Sequence, residues 1–204
     1  PLIIKSKRNL PQPFKGTPLT LKYRKLWKKA TQGNNLARSK KVQFSHKPNY
    51  RLTSKGDTDE ADLTDGLLVN NEQDLIWFHK GAVGWFGGPY KGINLLIDLE
   101  EKRNLEKLVV RVLGGRARDN MRFPETLDCY VSNDRENFYR ASGLNKLQLG
   151  EKDQSDFISQ YYLEEDDTPY VYPFSLNINA EARYVGLRIV GVSEFLFMDE
   201  LAII

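Results

Sequence analysis

The chain has 204 residues, a length that suits one substantial domain with a short appendage, and its balance of apolar and charged residues is that of a globular protein. No apolar run approaches the ~20 residues of a membrane-spanning helix, and the start PLIIKSKRNL lacks the apolar core and cleavage pattern of a signal peptide. The net charge of +3 hides an asymmetry: residues 1–50 carry 13 Lys and Arg and no Asp or Glu, whereas the remainder carries 17 basic against 27 acidic residues. Two compositions in one chain predict a boundary. Because the chain begins at Pro1 rather than at methionine, it is expected to be a fragment or a processed product.

Residues 1–33 hold Pro1, Pro11, Pro13 and Pro18 and the stretch LTLKYRKLWKKATQGNN. They are read as a basic linker or the tail of a preceding domain, with a short strand or helix around 19–30. A basic aromatic segment can bind nucleic acid or anionic lipid. No nucleic-acid module accompanies it, so nucleic acid is not an expected partner. The simpler reading is a connector whose Leu19, Leu21, Tyr23, Leu26 and Trp27 pack onto a neighbour.

From Asn34 to Ile204 the texture is β. The runs 93–99, 107–113, 126–132, 170–178, 183–190 and 197–204 are short, rich in Val, Ile, Leu and Tyr, and bounded by Gly, Asn, Asp and Pro. In KLVVRVL, Leu108, Val110 and Val112 alternate with Val109, Arg111 and Leu113, which predicts one apolar face and one polar-leaning face. Helical periodicity is confined to a turn or two at 101–106 and 151–166. The fold class is therefore all-β, an antiparallel β-sandwich with an irregular N-terminal extension. The lone Cys129 excludes an intrachain disulfide and a Cys-rich metal cluster, and its alternating context TLDCYVS predicts a buried, inert thiol.

Three stretches carry candidate chemistry. WFHKGAVGWFGG (77–88) sets aromatic rings among glycines; Trp77 is expected in the core, and Trp85 with Phe86 on display. GDTDEADLTDG (56–66) supplies Asp57, Asp59, Glu60, Asp62 and Asp65, while Asp199 and Glu200 lie at the far end of the chain. Calcium takes about six to eight oxygens, so an ion could tie these segments together; a solvated loop with Asp65 capping its turn is the alternative. GGRARDNMRF follows an expected strand and offers Arg116, Arg118 and Asn120. His46 and His79 stand in no metal-binding spacing, and neither a nucleophile elbow nor a phosphate-cradling loop is present, so no catalytic activity is expected. The EEDD run at 164–167 reads as a solvated loop.

Taken in order, LTDG (63–66), NLLIDLE (94–100), LEKLVVRVLGG (105–115), FPETLDCYVSNDRENFYRA (123–141), ARYVGLRIVG (182–191) and DELAI (199–203) resemble the discoidin, or coagulation-factor type C, superfamily. The chain looks most like family 32 carbohydrate-binding modules of bacterial glycan-degrading enzymes. The resemblance covers residues 34–204. It implies a galactose-binding-like jelly roll of eight strands with ligand-binding loops at one end. It further implies structural Ca²⁺ held by Asp65 and Glu200, backed by Asp62 and by carbonyls of residues 66–70. Sugar contacts are implied at His79 (or Phe78, with the alignment moved by one), Arg116, Arg118 and Asn120, beside the rings of Trp85 and Phe86. Two departures stand out: Glu100 follows IDL where relatives have Gly, and residues 143–169 form a long insert. The resemblance implies a non-catalytic module of a larger secreted, periplasmic or surface enzyme, with a glycan and the parent's other domains as partners. The alternative is a structural or adhesion domain of the same fold.

Overall fold

The computed structural model describes residues 17–54, 58–69, 75–87, 92–145, 168–192 and 194–204. Most of the insert, the expected helical turns at 151–166 and the EEDD run lie outside them, as do Asp57 and Asn70. Two strands dominate, β3 (Ile93–Gly114) and β6 (Tyr170–Val190). Each joins two of the runs expected separately. They pair antiparallel from Ile93↔Ile189 to Gly114↔Tyr170. The stretch 101–106, expected to hold a helical turn, is part of β3.

The ladder is bent midway. Between Asp98 and Arg103 β3 advances five positions while β6 moves only from Tyr184 to Ala182, and extra residues of this kind bend a strand. Glu100 sits in the bend at φ 73°, and Asn179 of β6, at φ 49°, lies at a second register shift between Leu105 and Lys107. Both lie in the left-handed region, which a side chain other than glycine disfavours. The corner is held by Asp98: its Oδ1 accepts the Glu100 N–H at 2.7 Å, and Arg183 reaches both carboxylate oxygens at 2.8 and 2.9 Å. That guanidinium holds the Asp98 carboxyl below the usual carboxylate range.

The two halves of the ladder become two layers. β1 (Val42–Phe44), β4 (Thr126–Ser132) and β5 (Tyr139–Asn145) extend the first layer, with β1 beside the N-terminal half of β3 and β4 beside the C-terminal half of β6. β2 (Val83–Phe86) and β7 (Phe195–Ile203) extend the second, on the C-terminal half of β3. Leu95, Ile97, Leu127 and Leu187 of one layer share a single buried core with Leu108, Val110, Phe174 and Leu201 of the other. The result is the expected β-sandwich. Cys129 is fully buried in it, and burial pushes its thiol up to about 12, as expected of an inert sulfur.

The second layer differs from expectation on its outer face. Val109, Arg111 and Leu113 were expected to lean towards solvent, yet all three are buried. The loops between β1 and β2 cover the Leu113 end of this face: Val69, Ile76 and Ala82 form a second apolar cluster with Leu113, Val171 and Phe197. Arg111 survives there because Asp199 Oδ1 accepts from its Nε at 3.0 Å, with the two side chains 2% and 0% exposed. Asp199 Oδ2 also accepts the Val69 N–H, which ties a covering loop to the strand.

The basic segment holds a helix, α1 (Pro18–Ala30), one of the two alternatives, strand or helix, expected around 19–30. Thr17 caps it through the Thr20 N–H, Pro18 opens it, and Lys28 and Lys29 complement its C-terminal dipole. Tyr23 anchors the helix by stacking on Tyr170 at 5.2 Å and meeting Tyr172 edge-on at 5.1 Å. Leu21 and Leu26, expected to pack onto a neighbour, are exposed.

Replacing Glu100 by glycine relieves the left-handed strain, worth about 1–2 kcal/mol. It also removes the exposed Lys40 ion pair (2.7 Å), of about 0–1 kcal/mol, and adds backbone entropy. Glu100→Gly is expected to raise stability by about 0.5 kcal/mol in urea titration; a drop beyond about 0.5 kcal/mol would show that the ion pair outweighs the strain.

Candidate functional site

Successive residues of a strand point to opposite faces, so Trp85 and Phe86 cannot both face the same way. Trp85 is the inward one. It is 2% exposed, packs edge-on against Phe44 at 5.6 Å and donates its Nε1–H to the His46 carbonyl at 2.8 Å. The expectation that Trp85 displays its ring is therefore corrected. Phe86 is 49% exposed and lies 5.2 Å from Phe195 across the sheet edge. Its backbone is clamped by one side chain: Asn49 Oδ1 accepts the Phe86 N–H at 2.8 Å, and Asn49 Nδ2 donates to the Phe86 carbonyl at 3.2 Å. Trp77, expected in the core, is half-buried against the second apolar cluster.

The turn after β3 comes to this same edge. Arg116 and Met121 form a bridge around a 3₁₀ turn at Ala117–Asp119. Asn120 follows at φ 55°, a conformation its short polar side chain tolerates. Asn120 Nδ2 donates to Glu194 Oε2 at 3.2 Å, and the Gly87 N–H donates to the Glu194 carbonyl at 3.1 Å. Phe86, Asn120 and Glu194 thus form one rim. Arg116 Nε is turned onto Asp119 Oδ2 at 2.6 Å, while Arg118 is 57% exposed and 3.8 Å from Asp119 Oδ1. Asn49, Glu194 and Phe195 belong to this rim and were missed in the sequence. Asn49 meets a partner 37 positions away and Glu194 one 74 positions away, beyond any local pattern.

His79 lines a different depression. With Asp62, Asp65, Lys80 and Gly81 it borders a cleft of about 240 Å³, and its Nδ1 accepts the Gly81 N–H at 3.0 Å. Lys80 is anchored by the Arg51 and Ser54 carbonyls. Phe78 is exposed and meets Trp77 edge-on.

The acidic residues divide by role. Asp62, at the end of the short helix α2 (Asp59–Asp62), accepts from the Thr58 hydroxyl at 3.1 Å. Asp65 Oδ1 accepts the Leu67 N–H at 2.7 Å, closing the turn at Gly66. Glu200 is 1% exposed; Oε2 accepts the Gly66 N–H at 2.9 Å, and Oε1 has no hydrogen-bond partner among the described residues. Burial, with the negative charges of Asp199 and Asp65, pushes the Glu200 carboxyl up to about 9. The Arg38 guanidinium lies against Gly66 and opposes that rise. Among the described residues no three His, Cys, Asp or Glu side chains converge enough to enclose an ion. The orphaned oxygen of Glu200 and the carboxylate of Asp65, whose charge it feels, are the hard oxygen donors that a cation such as Ca²⁺ takes.

No family model and no curated protein matches the chain. Several solved structures are similar to the chain at low identity. CpGH89CBM32-6 of Clostridium perfringens is 15% identical with a TM-score of 0.47, over 84% of this chain and 98% of that one. CpGH89CBM32-5 of the same organism, solved with GalNAc-beta-1,3-galactose, is 15% identical with a TM-score of 0.48, over 83% and 99%. A fucolectin from striped bass (Morone saxatilis) serum is 15% identical with a TM-score of 0.49, over 84% and 47%.

Without metal, the Glu200 carboxyl has its ordinary value of 4.5 when unfolded and is pushed up to about 9 when folded. The folded state therefore holds the extra proton between these values, and stability contributed below pH 4.5 is lost as pH rises towards 9. In chelator, Glu200→Gln is expected to flatten this part of the Tm–pH curve. Parallel curves for wild type and variant would contradict the buried, orphaned carboxyl.

Proposed function

We propose that this chain is a non-catalytic carbohydrate-binding domain that meets a saccharide at the rim of Phe86, Asn120 and Glu194. The observation that carries this reading is a half-exposed aromatic ring, its backbone held by the two-point Asn49 clamp, on the edge that also carries an amide–carboxylate pair. A pyranose has an apolar C–H face that lies against an aromatic ring, and rim hydroxyls that both donate to Glu194 and accept from Asn120. Arg118 extends the donors on the same turn. Such a shallow site binds weakly, because few contacts must offset lost freedom. The matching role is that of an accessory domain of a larger secreted, periplasmic or surface glycan-degrading enzyme, where tethering raises the local substrate concentration.

We also propose that Asp65 and Glu200 hold a structural Ca²⁺ with loop carbonyls. The ion would supply charge to the orphaned Glu200 oxygen and tie the 62–69 loop to β7. Asp62 would stay with Thr58 and α2 rather than serve as a direct ligand.

A glycan array followed by titration of hits tests the first reading. Phe86→Ala is expected to weaken binding about tenfold or more and Asn120→Ala several-fold, with Tm unchanged within about 2 °C. Trp85→Ala, by contrast, is expected to cost about 3–5 kcal/mol of stability. Glycan binding by Phe86→Ala at wild-type strength would overturn the rim site. For the metal, Ca²⁺ is expected to raise Tm in wild type but not in Glu200→Gln; an equal response in both would remove Glu200 from the site.

A further inference from the structure

The outer face of the first layer is not a flat sheet. Along one row across the strands, Leu96 of β3 stands opposite Gly186 of β6, which stands opposite Tyr130 of β4. Gly186 has no side chain, so the row has a gap between Leu96 and Tyr130. Phe138, from the β4–β5 turn, closes one side, and the next row contributes Asn94 and Arg188, which face each other across β3 and β6. Together these six residues border a trough of about 380 Å³, a size that suits one sugar ring.

The gap is not forced by the fold. A Cβ on Gly186 would meet nothing nearer than 3.7 Å, and its backbone does not adopt a left-handed φ. Glycine in a strand interior costs about 0.5–1 kcal/mol of stability and commonly marks close approach of something else. The surrounding wall is rigid. In the turn before Phe138, Ser132 Oγ accepts the Asp134 and Arg135 N–H groups, and Asp134 Oδ1 accepts those of Glu136 and Asn137.

The charge at the mouth defines the occupant. Arg188 is exposed and has no ion-pair or hydrogen-bond partner among the described residues. The carboxylate opposite it on β4, Asp128, pairs with Arg140, whose Nε and Nη2 both lie 2.8 Å from Oδ1. The trough thus offers apolar walls to a ring face, an amide that donates and accepts at Asn94, and an exposed guanidinium fork, without a partner among the described residues, that matches a carboxylate.

We propose that this trough is a second binding site, separate from the rim, that takes a hexuronic acid residue with its carboxylate on Arg188 and its ring against Tyr130 and Phe138. The site does not depend on the rim reading. Its test is a chemical-shift titration of the full chain with galacturonate, with galactose and benzoate as controls.

Saturable millimolar binding of galacturonate is expected, at least tenfold tighter than of either control. Arg188→Gln is expected to lower affinity for galacturonate at least tenfold, and Gly186→Leu, which fills the trough, to abolish binding with Tm maintained. Phe86→Ala is expected to leave galacturonate binding unchanged, which separates failure here from failure at the rim. The proposal is overturned by absence of saturable binding, by galactose or benzoate binding as tightly, by wild-type affinity in Arg188→Gln, or by loss of binding in Phe86→Ala.

Discussion

The bent antiparallel ladder of β3 and β6 is the constraint on which the rest of the structure depends. A single continuous hydrogen-bonded pair supplies the central strands of both layers, so the bend between Asp98 and Arg103 decides where the two apolar faces meet. The bend holds a left-handed Glu100 and a carboxylate that binds both the turn and a guanidinium, and a second register shift, between Leu105 and Lys107, holds the left-handed Asn179. Asp98 therefore does at the corner what a glycine alone would do by conformational freedom. It fixes one geometry through hydrogen bonds rather than permitting many.

In the second layer the C-terminal half of β3 and nearly all of β7 are buried on both faces, and this sets the electrostatics of the loop that covers them. Between Arg111 and Val112 of β3, β7 carries one extra residue, Asp199. Two neighbouring acids thereby receive opposite environments. Asp199 meets Arg111 and the Val69 N–H, whereas Glu200 meets the Gly66 N–H and keeps one oxygen unpaired. An unpaired buried carboxylate is costly as an anion, and so the carboxyl titrates high. A cation beside it would reverse that balance, which is the physical basis for proposing calcium there.

Both proposed binding surfaces arise from strand alternation at the limits of the sandwich. On β2 the alternation buries Trp85 and projects Phe86, and long-range contacts with Asn49 and Glu194 turn an exposed ring into a fixed rim. On the first layer a glycine interrupts an outward-facing row and leaves a trough between neighbouring side chains. The rim carries an amide and a carboxylate and the trough an exposed guanidinium, so the two proposed surfaces differ in charge. Arg116 and His79 serve neither surface: the first is folded onto Asp119, and the second borders the cleft of Asp62 and Asp65.

The all-β class, the strand runs and the buried thiol of Cys129 were legible in the sequence, because alternation is encoded within a few consecutive residues. Asp65, Gly66 and Glu200 could be singled out as partners only through the family resemblance, and the Gly66–Glu200 hydrogen bond brings that loop and β7 together. Local pattern could not show that 93–99 and 107–113 are one strand, since a bulge keeps pairing alive across polar residues that read as a break. Nor could it show that Arg111 is buried, or which of Trp85 and Phe86 faces outward. The phase of an alternating pair is set by the strands and loops that pack on it, and those come from residues tens of positions away. The tertiary structure alone decided which side chains reach the rim, which acid stays unpaired, and that the space beside Gly186 is open.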